Sequence, residues 1–390
     1  METVNTNETQ FLKTLEIYRK INSFSKSIID ISLMKSNKLK AIFLQVFCAL
    51  FYIYLILNPI RHIVSLIQLK TIENDKMFLY IYIIFFRIFL SLSPFIKLFR
   101  KSRDKELIEK FAKLKTEDED GIWYNNPIIY KSVYILICLI IIGSITLDFI
   151  IPLLSYDLLI FYEYPVPNTY TYIIPFLVMQ IVFNSVSALS ILTDVYIYLL
   201  IAVTLICHFN KVANEAQIYV TEKQSAKSDI ITNHGEITDI CNTHDALCLI
   251  VRLVNDSLQF ISGFLVFGSV ISCCIATYGI INDSFKTNMF INIYVAVVVT
   301  GCLSSWTAML WCGIQLNRSV HSITQSIHFM QFQDIKQEVI AKILVFLNRL
   351  TTESHGIDVG GCFVITPSST LTMLGSFITY ILVVIQTKSL

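Results

Sequence analysis

Charge is scarce in this chain. Asp, Glu, Lys and Arg make up 15% of its 390 residues, against about 25% in soluble domains. The formal net charge is only +1, so no strongly basic surface points to nucleic acid as a partner. Glycine (12) and proline (8) are also few, which argues against a transporter built on many broken helices. No HExxH, no GxSxG and no internal repeat is present, so the common hydrolase constellations are missing. The ten cysteines show no CxxC or Cys/His spacing and fall mostly inside apolar runs, where free Cys behaves as a small hydrophobe. The expectation is no structural disulfide, no metal, no cofactor and no enzyme activity.

What the chain has instead is apolar surface. Hydrophobic residues make up 54%, aromatics 13%, and the mean hydropathy is +0.62. A soluble core saturates well before needing that much, so a polytopic membrane protein is the default. Seven long apolar runs stand out: residues 41–57, 77–99, 128–151, 172–206, 258–281, 289–314 and 363–386. A bilayer needs roughly 20 apolar residues per helix. The fourth run is long enough to tilt or to project beyond the membrane. Residues 1–40 are polar and lysine-rich, with no signal-peptide pattern before the first run.

Orientation follows from Lys and Arg. With a cytoplasmic amino end, 23 of the 30 basic residues fall in inner segments and 5 in outer ones. Arg87 and Lys131 lie within spans and complete the set. Positive charge stays inside, so the amino end is expected in the cytoplasm and the carboxyl end outside. This order is opposite to that of a G-protein-coupled receptor. No Asp-Arg-Tyr closes a third span, and no NPxxY marks the seventh. Of four Asn-x-Ser/Thr matches, only Asn282 falls in an outer loop; Asn7, Asn255 and Asn317 read as chance matches on the inner side.

The inner segments carry amphipathic helices. Leu107, Phe111 and Leu114 share one helical face, and Ile335, Val339, Ile343, Phe346 and Leu350 form another stripe. They are too polar to span, and several on one side favour packing on partner helices over lying on the membrane. The pattern breaks at Ser354-His355-Gly356 and again at Gly360-Gly361, where glycine permits a sharp turn. The final hydrophobic element therefore divides into an inner amphipathic helix and a spanning one. In that last span Thr372, Ser376, Thr379 and Gln386 recur at near-helical spacing, with Val383 in the same stripe. A thin polar stripe either hydrogen-bonds to a neighbouring helix or lines water.

The end of the chain resembles the insect chemoreceptor superfamily. The carrying residues are Thr379-Tyr380, five apolar residues Ile381–Ile385, then Gln386, with Thr387 where the gustatory form has Phe. Tyr162-Glu163-Tyr164-Pro165-Val166-Pro167, Asp194, His208-Phe209 and Gly360-Gly361-Cys362-Phe363 are similar in kind to the odorant branch. The resemblance implies an all-α membrane protein of seven transmembrane helices and a ligand-gated, non-selective cation channel in the plasma membrane of a sensory neuron. It further implies a tetramer with co-receptor subunits. Residues 1–40 would then be a cytoplasmic segment, and 41–314 spans one to six with an odorant pocket in their outer half. Residues 315–362 would be cytoplasmic anchor helices, and 363–390 the pore-lining seventh helix. Thr379, Val383 and Gln386 would line the pore, with Val383 as gate. No long cytoplasmic insertion of the co-receptor kind lies between spans four and five.

An odorant pocket should be apolar, aromatic and sparsely polar. Under this topology its candidates are Tyr80, Ile81, Ile84 and Phe85 in span two, and Ile141, Ser144, Ile145 and Asp148 in span three. Met179 and Phe183 in span four and Tyr294 and Val298 in span six complete the set. Tyr80, Ser144 and Tyr294 are the expected hydrogen-bonding groups. Arg87, Asp148 and Asp194 are costly in lipid and should face protein or water. The alternative is a gustatory receptor channel working without the co-receptor.

Overall fold

The computed structural model describes residues 170–225, 234–281, 289–328, 336–353 and 355–389, and before them positions 46, 49–58, 60, 63–64, 81–82, 84–86, 88–89, 92, 106 and 110. From Tyr170 onward the described chain forms five helices and one small hairpin. They are α1 (Tyr170–Ser225), α2 (His234–Ile281), α3 (Met289–His328), α4 (Gln337–Thr352), strands β1 (Asp358–Val359) and β2 (Phe363–Val364), and α5 (Pro367–Ser389). A short apolar helix, Ala49–Asn58, lies in the first apolar run.

Helix length is the first departure from the span boundaries. The 56 residues of α1 extend about 84 Å at 1.5 Å per residue, far more than a hydrocarbon layer of about 30 Å. The 48 residues of α2 and the 40 of α3 also exceed it. Residues 208–225 and 234–257, expected as inner segments, continue the helices of spans four and five without a break. Residues 315–328 do the same for span six.

Burial explains this continuity. Beyond His208, α1 buries Phe209, Val212, Ala216, Tyr219 and Val220, and α3 buries Leu316, Val320, Ile323 and Ile327. Each set recurs at three- and four-residue intervals, one helical face. The polar residues between them conceal a full apolar seam. Four helices meet at His244 of α2. Its ring makes edge contacts with Phe209 (5.0 Å) and Phe346 (5.2 Å). Its Nε2–H donates to the Val320 carbonyl at 3.0 Å, which leaves Nδ1 to accept from the Cys248 thiol at 3.5 Å. The buried ring is thus satisfied at both nitrogens. One apolar core runs from Ile191 in α1 to Leu350 in α4 and Ile365 beyond the hairpin.

Among the described residues, the hairpin is the one element absent from an all-α expectation. Val359 pairs with Phe363 and Asp358 with Val364. Gly360 (φ 65°) and Gly361 (φ 75°) carry the turn, and the Cys362 N–H closes it on Val359 O at 3.0 Å. Consecutive positive φ values are what a tight antiparallel turn requires and what glycine supplies. The glycine pair was legible as a turn; the strands were not, because two residues carry no period. α5 consequently starts at Pro367, four residues after the start of the seventh apolar run, with proline at the helix's first position.

Candidate functional site

The last helix presents three different faces. Successive residues rotate by about 100°, so the faces lie roughly 120° apart. The first, Thr370, Met373, Phe377, Tyr380 and Val384, turns toward the rest of the chain. Phe377 meets Trp306 of α3 edge-on at 5.9 Å, and the Tyr380 hydroxyl donates to Cys274 O of α2 at 3.2 Å. Thr370 and Val384 are buried. The second face, Leu371, Leu374, Ile378, Leu382 and Ile385, is apolar and exposed, Leu371 by 70%. The third holds Thr372, Ser376, Thr379, Val383 and Gln386, all exposed.

The hydroxyls of that third face are already engaged on their own helix. Thr372 donates to Ser368 O (3.1 Å), Ser376 to Thr372 O (3.0 Å) and Thr379 to Gly375 O (2.9 Å). Back-bonding of this kind spends each hydrogen on the i−4 carbonyl. The remaining oxygen lone pairs then point away from the helix, forming a column of acceptors. Such a surface suits a cation or water better than an anion. The expected stripe therefore exists as an exposed face and not as the face that packs within the subunit.

The structure places the expected pocket residues unevenly. Phe183 is buried against span one, its ring 5.4 Å from Phe51 and 4.8 Å from Tyr54. Ile84 and Val298 are buried. Phe85 is half-buried and stacks on Phe89, which in turn stacks on Phe264 of α2 at 4.5 Å. Met179 lies on α1 and Tyr294 on α3. Tyr80, Arg87, Ile141, Ser144, Ile145 and Asp148 lie outside the described residues. Asp194 is buried in α1.

Sequence reasoning passed over Tyr82. It is fully buried, and its hydroxyl lies 3.3 Å from Ser272 Oγ of α2. Cys302 of α3 approaches the same oxygen at 3.9 Å, and Ser269 is also buried. This small polar island between span two, α2 and α3 was not legible, because Tyr82 sits among aromatics and isoleucines with no polar period. Asn255 and Asn317, read from the sequence as chance glycosylation matches, have a structural use: both amides bind backbone of the segment before the hairpin.

Comparison with known proteins decides the family. A family model described as 7tm chemosensory receptor matches residues 23–390. This chain belongs to that family. The family is one of chemosensory receptors and not of enzymes, and the long apolar helices of this chain make it a membrane protein. Two solved structures of the insect olfactory receptor OR5 from Machilis hrabei share the fold. The one in complex with eugenol matches with a TM-score of 0.61 at 12% identity, over 96% of this chain and 99% of that one. The one without it matches with a TM-score of 0.60, at the same identity and coverage. No curated protein matches by sequence.

Proposed function

We propose that this chemosensory receptor is an odorant receptor subunit that binds a small, volatile, apolar ligand and gates a non-selective cation channel. In this reading it works in the plasma membrane as a heteromer with the odorant co-receptor, a tetramer in the family's manner. Seven helices cross the bilayer, with the amino end in the cytoplasm and the carboxyl end outside.

One observation carries the reading: α5 keeps two of its three faces exposed within the subunit. A lone bundle helix would turn its polar stripe inward. Here the column of hydroxyl oxygens faces away from the subunit, beside an apolar face free to meet lipid or a neighbouring copy. Several subunits arranged with their hydroxyl faces together enclose a path for cations. Val383 narrows it one turn before Gln386. On the inner side Leu344 and Val345 of α4 are more than half exposed, which supports a subunit contact between anchor helices.

For the ligand, the buried Ile84, Phe183 and Val298 and the half-buried Phe85 supply apolar walls, joined by Tyr80, Ile141, Ser144, Ile145, Asp148, Met179 and Tyr294. The fold relative solved with eugenol supports a small-molecule ligand of this kind. The test is a panel of volatiles applied to cells expressing the chain with and without the co-receptor, with cation current as readout. Odour-evoked current only with the co-receptor is the expected result. Current without it would favour a gustatory channel, and no current in either case would refute the reading.

A further inference from the structure

The segment joining α4 to α5 is short, yet its main chain is held at several points by the long helices. Asn255 of α2 grips it twice: its Nδ2–H donates to Gly356 O at 2.8 Å, and its Oδ1 accepts the Asp358 N–H at 3.0 Å. One turn further along α2, the Gln259 carbonyl accepts the Gly360 N–H at 2.9 Å. At the next turn the Ser262 hydroxyl donates to Asp358 O at 2.7 Å. From α3, Asn317 donates to His355 O at 2.6 Å. Asn255, Gln259 and Ser262 fall at i, i+4 and i+7, one face of α2. The side-chain amide offers a donor and an acceptor side by side, as a strand edge does, so it pairs with residues 356–358 like an extra strand.

Steric fit completes the seat. A Cβ on Gly263 would come within 2.8 Å of Gly360 Cα, and one on Gly313 within 2.7 Å of Ile365. Ile365 N–H bonds Ile357 O at 2.9 Å, and only Thr366 then separates it from α5. The last helix is attached to α2 again at its other end through Tyr380 and Cys274. Two attachments to one rigid helix leave little slack between them.

We propose that Asn255 is the positioning residue for the last helix. By fixing residues 356–358 on α2, it sets where α5 begins, so that displacement of α2 reaches the bare hydroxyl face directly. The gating half of this proposal rests on the channel reading above; the clamp itself does not.

Two measurements separate them. The first is hydrogen–deuterium exchange of the purified full-length chain, followed in peptides covering 353–366. Asn255→Leu removes both bonds and is expected to speed exchange there about tenfold, the loss of a well-made buried hydrogen bond. Asn255→Asp keeps the acceptor and is expected to do less, and Ser262→Ala less again. The second is current from the full chain with the co-receptor at matched surface expression. The variants are expected to raise ligand-free current severalfold and to shift the midpoint of the concentration response. A purely structural loss would lower current per cell and leave both ratios unmoved. Unchanged exchange in all three variants overturns the clamp. Faster exchange with an unmoved ligand-free fraction and midpoint overturns the positioning role. A wild-type chain without odour-evoked current overturns the gating half, while exchange still decides the clamp. Should Asn255→Leu fail to fold, Ser262→Ala carries the same comparison.

Discussion

α4 and α5 follow one another in sequence and solve opposite problems. α4 is amphipathic and closes on its own subunit: Ile343, Phe346 and Leu350 are buried, with α4 packed against α2 and α3. Its C-terminal end is pinned by charge, with Arg349 on Asp245 at 2.8 Å and Glu353 paired with Arg252. α5 is apolar almost throughout, yet Leu371, Ile378, Leu382 and Val383 are each at least half exposed. Mean hydropathy would rank α5 as the better-buried helix, but burial within the subunit runs the other way. A water-facing helix must hide its stripe inside the subunit. A membrane helix gains nothing from hiding apolar surface that lipid already covers, and its packing is decided by shape and hydrogen bonds. On the proposed topology, the stability of the isolated subunit therefore lies in the inner half, and the uncommitted surface lies in the last helix.

The largest effect expected from this contrast is in the core of the inner half. Phe346→Ala removes a ring that is 2% exposed and breaks the edge contact with His244. Such truncations cost about 3–5 kcal/mol, enough to lower the melting temperature of the purified subunit sharply. Ile378→Ala on the bare face of α5 should cost under about 0.5 kcal/mol in the same measurement. Equal costs for the two would erase the distinction between the helices.

A second contrast separates the two bare faces of α5. Val383→Ser places a small polar group in the hydroxyl column and should raise ligand-free current severalfold at unchanged expression. Leu382→Ser, one residue away on the apolar face, should weaken subunit association and leave the conductance of assembled channels alone. Single-channel recording of both distinguishes them. Identical conductance and leak in Val383→Ser and the wild type would overturn the proposed place of Val383 in a pore wall.

How much of this was legible in the sequence depends on length and period. The polar stripe of α5 was visible because Thr372, Ser376 and Thr379 recur at helical spacing, and the stripe of α4 for the same reason. The split between them was visible at Gly360-Gly361. Three things were not. The unbroken inner extensions were hidden: in α1 and α2 the buried faces carry Ala216, His244 and Cys248 as well as large aliphatics, and in α3 polar residues stand between Leu316, Val320, Ile323 and Ile327. The hairpin was too short to show alternation. Tyr82, Asn255 and Asn317 act through partners far away along the chain, and no local pattern announces such a partner.

A smaller effect comes from the charges that pin α4. Arg349 and Asp245 are both substantially exposed, so a double-mutant cycle between them should give about 0.2–1 kcal/mol. The value should shrink in high salt, since exposed pairs are screened. A coupling above that range would mean that the pair is shielded by something beyond this subunit, and would shift weight from the apolar seam to charge.

The subtlest contrast is one of pH, and it should touch the junction after α4 and not α5. His355 lies at the junction between α4 and the hairpin, buried, with Nε2 3.8 Å from Glu353 Oε2 and its ring 6.3 Å from that of His321. Burial holds its pKa below the ordinary value; the Glu353 carboxylate opposes the shift, while His321 and Arg252 add to it. A histidine held neutral in the folded chain contributes stability that is fully present above its unfolded pKa, near 6.5. That contribution is lost as pH falls below this value, because the unfolded chain binds the proton more readily. The melting temperature should therefore decline on acidification from pH 7.5 to 5.5, and His355→Gln should flatten the decline. Because α5 carries no titratable side chain that changes charge over that interval, its contacts should be indifferent to the same change. An equal decline in wild type and His355→Gln would assign the pH dependence to other groups and leave the two helices undistinguished by protons.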